Sequence, residues 1–233
     1  MIKEIRRQTI HFLGIILAII IIYQDFYSSL RLLAALVLVV VLINWYYNKR
    51  YARRKSFRET IDGFWLLSKK QRGELVESTD KFHKFEEKLF NTVLESVGIR
   101  ENEKDPTVPP FYFLLSSLIC LIFLGKEITV IVIITLSVGD ALSALIGKKF
   151  GKHKIFWSKK KSIEGSVAFF VSTFIAIYVF LYLFPSYIIF SPLILSLSAA
   201  FFGALIETEP TLTDNFSIPV FTGFMIYLVS LVC

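Results

Sequence analysis

Ser137-Val-Gly139-Asp140-Ala-Leu-Ser143-Ala-Leu-Ile-Gly147-Lys148-Lys149-Phe-Gly151, followed closely by Lys159-Lys160-Lys161-Ser162-Ile-Glu164-Gly165-Ser166, sets one carboxylate inside an apolar run and a second at the head of the next. A glycine-punctuated loop with seven lysines, 147–162, joins them. An ionisable residue inside an apolar span is expensive to keep there and marks a functional site by default. Acid, basic loop, acid at a membrane edge is what a metal-bound polyphosphate requires.

Outward from that stretch, the chain is 233 residues long and 55% hydrophobic, with a mean hydropathy of +0.61. Seven apolar runs approach the length needed to cross a hydrocarbon core of about 30 Å. They cover approximately 9–23, 29–47, 109–124, 128–146, 163–184, 191–206 and 215–232. The expectation is an all-α integral membrane protein of about seven transmembrane helices, folded as a single membrane domain over 1–233. The first run follows basic residues, as a signal peptide does, but it lacks a small-residue cleavage site and further spans follow it, so it is read as retained. Of 26 lysines and arginines, 3 precede the first run, 14 lie between runs two and three, and 7 between runs four and five. Alternate loops therefore share one side, which the positive-inside rule makes the cytoplasm, with the N-terminus there and the C-terminus outside. The net charge of +7 is assigned to this orientation and to anionic lipid headgroups, not to nucleic acid. Cys120 and Cys233 offer neither metal spacing nor a disulfide framework.

The sizeable polar segment is 48–108. Within it Phe82, Phe85, Leu89, Val93 and Val97, with Phe90 and Leu94 alongside, recur at helical spacing among charges. This predicts an amphipathic helix on the cytoplasmic membrane face, between helices two and three. Phe57, Ile61, Phe64 and Trp65 predict the same, and Pro106, Pro109 and Pro110 then end the segment.

Apart from Glu127, every acid in or against the later spans falls at the cytoplasmic end of its run. Asp140 lies about two turns before Gly147, Glu164 opens the fifth span, Glu207 and Glu209 close the sixth, and Asp214 opens the seventh. Clustered carboxylates repel one another unless a cation neutralises them, and a hard divalent ion with oxygen ligands suits them. The loop lysines Lys148, Lys149, Lys152, Lys154, Lys159, Lys160 and Lys161 complement a triphosphate, and Gly147 and Gly151 admit close backbone approach. Ser162 stands where it can cap the fifth helix and leave amides for an anion. The P-loop pattern is absent. A topological loop with no ligand, beside ordinary interfacial acids, is the plain alternative. Ser196, Ala200 and Ala204, with Ala199 and Gly203, form small-residue rows that let the sixth helix pack closely.

Asp140-Ala-x-Ser-Ala-x-x-Gly147-Lys-x-x-Gly151-Lys-His-Lys, then Lys161-Ser-x-Glu164-Gly165-Ser166, resembles the CTP-dependent lipid-alcohol kinases: dolichol, polyprenol and phytol kinases, with the CTP-using diacylglycerol kinases close by. At greater distance the chain resembles the phosphatidate cytidylyltransferases. Glu207 followed by Thr213-Asp214-Asn215-Phe-Ser217-Ile-Pro219 is similar to the kinases' late signature, and Arg6-Arg7-Gln8-Thr-Ile-His11 to their N-terminal one. Gln8 stands where many relatives have lysine. The cytidylyltransferases' Ser-Pro-Lys-Lys-Thr run and Pro-Gly-His element are missing, which favours the kinase branch. The resemblance implies transfer of the γ-phosphate of CTP, with Mg²⁺ or another divalent cation, to the hydroxyl of a membrane-embedded lipid alcohol. It implies metal binding and catalysis by Asp140, Glu164, Glu207 and Asp214. It implies nucleotide or phosphate contacts by Ser137, Gly139, Gly147, Lys148, Lys149, Gly151, Lys160, Lys161, Ser162, Gly165 and Asn215, and headgroup or phosphate contacts by Arg6, Arg7 and His11. The expected setting is a prokaryotic cell membrane, or the endoplasmic reticulum of a eukaryote, with the site facing the cytoplasm. Cytidylyl transfer to a lipid phosphate is the second reading. A non-catalytic membrane protein or transporter is the third, and acids gathered at one membrane face argue against an ion path.

Overall fold

The computed structural model describes residues 2–62, 108–209 and 213–233, with side chains from Leu13 onward except at 47, 48, 50–62, 108, 159 and 160. Most of the insertion expected over 48–108 lies outside the described residues, as do the side chains of Arg6, Arg7, His11 and Lys160. The elements run α1 (Ile2–Tyr23), α2 (Phe26–Asp62), α3 (Val108–Ile134), a π-helical turn (Thr135–Asp140), α4 (Ala141–Phe150), β1 (Lys154–Ile155), β2 (Ser158–Ser162), α5 (Ile163–Leu183), a 3₁₀ turn (Pro185–Tyr187), α6 (Pro192–Glu207) and α7 (Asp214–Ser230). The described chain is thus helical but for one hairpin.

Among the described residues three helical stretches are long and apolar enough to cross a membrane: Phe26–Tyr46, Pro109–Phe150 and Ile163–Leu183. Leu13–Tyr23 and Pro192–Glu207 are shorter apolar helices. The second stretch has 42 residues, which at 1.5 Å per residue reach about 60 Å, twice a hydrocarbon core. It does not run straight. Gly125 has φ +86°, a left-handed conformation that glycine adopts at no steric cost, and there the chain doubles back. Gly14 of α1 sits against both Phe113 and Ser137, which are equally far from residue 125 on either side. Gly223 of α7 likewise meets Cys120 and Leu124 on one arm and Val132 on the other.

This helical hairpin is the centre of the molecule. Cys120, Leu121 and Val130–Ile133 are buried within it, α7 packs along it, and α1 and α2 close the other side. Large apolar side chains such as Ile16, Leu38, Phe123, Val171 and Phe201 stay exposed on the outside. At the Gly125 end the Lys126 ammonium donates to the carbonyls of Ile22 (3.0 Å) and Gln24 (2.6 Å), so it satisfies the end of α1. The Tyr187 hydroxyl donates to Ile22 as well, at 3.3 Å.

Two expectations change here. Phe57 and Ile61 belong to the continuous helix α2, not to a separate interfacial helix. The lysine loop 147–162 is ordered: β1 and β2 pair antiparallel, Lys154 opposite Ser162 and Ile155 opposite Ser158. Burial of Ile155 and Ser158 beneath the hairpin, and the Ile163 N–H bond to the His153 carbonyl at 2.9 Å, fix it to the head of α5.

Candidate active site

The end of the bundle opposite Gly125 gathers the head of α5, the tail of α6, the head of α7 and the π turn. Helix α4 lies against the start of α5 through glycines. A Cβ on Gly165 would meet the Ser143 carbonyl at 3.2 Å and Gly147 Cα at 3.3 Å. A Cβ on Gly151 would strike the Gly147 carbonyl and sit 2.5 Å from Ser162 Oγ. Ser162 itself caps α5 by accepting from the Gly165 N–H at 3.2 Å. Gly151 and Gly165 thus leave no room for a side chain, and Gly147 lies close to both Ser162 and Gly165.

The π turn ends on Asp140, which is buried. An extra residue in a turn of this kind shifts the helical face on which the next side chain emerges. Asp140 and Ser143, three residues apart, share a face of the continuing helix. Ser143 Oγ donates to Glu207 Oε1 at 3.3 Å and Ser166 Oγ to Glu207 Oε2 at 3.2 Å. Glu207, nearly fully buried at the C-terminal end of α6, also meets the Lys161 ammonium at 2.7 Å. The same ammonium lies 2.9 Å from Asp214 Oδ2 at the start of α7. One cation from the hairpin thus joins two helix ends. Burial opposes the charge on Lys161, but Asp214, Glu207 and Asp140 outweigh it and raise the ammonium above the ordinary lysine range. Burial pushes the Asp214 carboxyl up to about 6 against the pull of Lys161, and Asp140 and Glu207 add to the rise.

Asp140, Glu207, Asp214 and Lys161 are therefore one electrostatic group, and Glu164 is not part of it. Its carboxylate accepts from the His153 backbone N–H at 3.1 Å and meets His153 Nδ1 at 2.7 Å, because the hairpin brings that amide over the first turn of α5. Asn215 holds two helices together, since its Nδ2 donates to the Pro109 carbonyl at 3.2 Å and ties the start of α7 to the start of α3. Ser137 lies against Gly14, and Gly139 packs on Phe169 and Thr173, deeper than the carboxylates. Lys148, Lys149, Lys152 and Lys154 are exposed around the rim. Ser143 and Ser166 received no role from sequence, although each stands inside a motif quoted for its acid or glycine.

Carboxylate oxygens that share one positive charge are hard donors, the chemistry a divalent cation such as Mg²⁺ prefers. Among the described residues no three acidic, histidine or cysteine side chains converge as a metal group, and Lys161 holds the place of positive charge.

No family model matches the chain, and no solved structure does. It is 30% identical over 151 residues to CTP-dependent diacylglycerol kinase 1 of Schizosaccharomyces pombe, covering 61% of this chain and 69% of that one. It is 29% identical over 131 residues to the chloroplastic farnesol kinase of Arabidopsis thaliana (52% and 41%) and 34% identical over 91 residues to a dolichol kinase of S. pombe (38% and 17%). The chain spans less than half the length of the farnesol kinase and under a fifth of the dolichol kinase.

Proposed function

The chain belongs to the family of CTP-dependent polyprenol, phytol and diacylglycerol kinases, and from that premise we propose that it transfers the γ-phosphate of CTP to the hydroxyl of a membrane lipid alcohol. The observation that carries the reading is the Lys161–Glu207–Asp214 group at the convergence of three helix ends, with Asp140 beside it. Fixed charges at a helix-end site act by position and electrostatics, which is most of what phosphoryl transfer asks of a protein.

In this reading the lipid hydroxyl enters sideways between helices, while the nucleotide arrives from water past Lys148, Lys149, Lys152 and Lys154. Lys160 and Lys161 hold phosphate oxygens. The hydroxyl oxygen bonds to the γ-phosphorus, the bridging β–γ oxygen–phosphorus bond breaks, and CDP leaves with the electron pair. Asp214, whose carboxyl sits near 6, accepts the hydroxyl proton, a value suited to a base working close to neutrality. Ser143 and Ser166 fix the Glu207 carboxylate so that it keeps Lys161 aimed. A divalent cation at Asp140 and Glu207 would displace the Lys161 ammonium from Glu207 and, when bound, would supply positive charge at the phosphate oxygens. Glu164 positions the hairpin through His153. Arg6, Arg7 and His11 supply further contacts to phosphate or headgroup.

The proposed setting is a membrane crossed seven times, with the hairpin 109–146 counted as two crossings, the N-terminus and the site facing the cytoplasm, and segment 48–108 on that face. Reversal at Gly125 and the cationic rim at the site end support this topology. The deciding experiment supplies purified protein and Mg²⁺ with CTP labelled at the α- or γ-phosphate and a mixture of prenols, phytol and diacylglycerol. Label from the γ position in the lipid phase is expected, and the labelled species names the acceptor. Label from the α position, given a pool of lipid phosphates, would assign cytidylyl transfer instead.

A further inference from the structure

The turn between β1 and β2 carries two aromatic side chains that the protein leaves bare. Phe156 is 99% exposed and Trp157 60%. An aromatic pair at the tip of a lysine-rich strand pair would be a poor choice for water, since exposed apolar area of this kind normally has an occupant. The hairpin does not project away from the bundle, however. Trp157 Nε1 donates to Thr208 Oγ1 at 3.2 Å, one residue beyond α6, and Thr208 Oγ1 in turn donates to the Leu205 carbonyl at 2.7 Å. The tip therefore lies flat beside the end of α6. Phe201 and Leu205, four residues apart on α6, are 56% and 50% exposed and point outward. They form an apolar strip on α6, and the helix end just beyond it is where Trp157 is bonded. Lys152 and Lys154 flank the tip and are exposed, while Ile155 and Ser158 face inward.

Apolar strip, then aromatic pair, then cations is the order of chemistry met on leaving a bilayer through its interface. Tryptophan prefers headgroup depth, and lysine stems extend from there toward anionic phosphates. We propose that the Phe156–Trp157 tip is seated in the headgroup region of an anionic leaflet and fastens the β-hairpin, with Lys161 on its second strand, against the membrane surface. The inference rests on the reading that α6 and α2 cross that membrane.

Tryptophan occurs at 45, 65 and 157. Replacing Trp65 and one other by Phe leaves single-tryptophan proteins reporting from residue 45, on the apolar α2 stretch, or from residue 157. Each is reconstituted in phosphatidylcholine–phosphatidylglycerol vesicles whose acyl chains are brominated near the headgroup. The expected result is quenching of Trp157 comparable to that of Trp45. It should fall about twofold on Phe156→Ser and also on omitting phosphatidylglycerol, with Trp45 unchanged in both cases. Trp157 unquenched by bromine but open to iodide, while Trp45 is quenched, would overturn the proposal and leave the tip in water. Loss of quenching at both positions would overturn the membrane reading beneath it.

Discussion

Lys161 contacts Glu207 and Asp214 at 2.7 and 2.9 Å, so a neutral isostere there leaves two carboxylates facing each other in a partly buried site. Removing a fixed group that stabilises charge in the transition state costs about 3 kcal/mol, roughly 100-fold in rate. We expect Lys161→Met to lose at least that much in kcat/KM for CTP while keeping its helical circular dichroism; near-normal kinetics would remove Lys161 from the site. The Asp214 carboxyl, held near 6, is ionised above that pH and protonated below it, so both proton acceptance and the pairing with Lys161 fade on acidification. The kcat/KM profile should fall along an acid limb with a midpoint about pH 6, and Asp214→Asn should have only residual activity without that limb. An unaltered limb in the variant would assign the titration elsewhere. At this scale the sequence is informative wherever charge is rare. Asp140, Glu207 and Asp214 stand out in apolar surroundings, whereas Lys159, Lys160 and Lys161 read alike until strand register turns one of them to the acids. Glu164 reads as a companion of the other acids, yet it stands apart because its partners are a backbone amide and a loop histidine, and no residue type announces such an amide.

Among the elements, the start of α7 shows how a proline is accommodated. Pro219 has no N–H, so the Asn215 carbonyl four residues earlier loses its helical donor. Ser116 Oγ, from α3, lies 3.0 Å from that carbonyl and shares its hydrogen with Phe113 O at 2.9 Å. Ser116→Ala should therefore lower thermal stability in detergent by about 1–2 kcal/mol, and much less in a Pro219→Ala background where the backbone donor is restored. Equal losses in both backgrounds would mean that the serine acts through packing alone. The apolar periodicity of α3, α5, α6 and α7 is open to reading, and so is the break near residue 126, because Lys126-Glu127 interrupts two apolar runs. Neither the π turn nor the β-hairpin is. A π turn leaves the composition of a helix unchanged, and the hairpin is held by bonds to residues distant in sequence, Ile163 N–H to His153 and Trp157 to Thr208.

For the molecule as a whole, polar chemistry is divided between two ends. Lys126, Tyr187 and the carbonyls of Ile22 and Gln24 form one end; the carboxylates, Lys161 and the exposed lysines form the other. With Cys120 and Cys233 changed to serine, a membrane-impermeant maleimide should label Glu127→Cys in intact cells and Lys152→Cys only after permeabilisation. The reverse pattern would invert the proposed orientation. The Lys161 ammonium that joins α6 to α7 also bears on how the chain is made. Synthesis runs from the N-terminus, so the segment containing residue 161 emerges before the segments containing 207 and 214. When the last two helices enter the bilayer with an acid at each of their adjoining ends, their counter-ion has already been delivered on the preceding strand. In the folded chain these acids are met by an ammonium of the chain itself, carried on the strand before them.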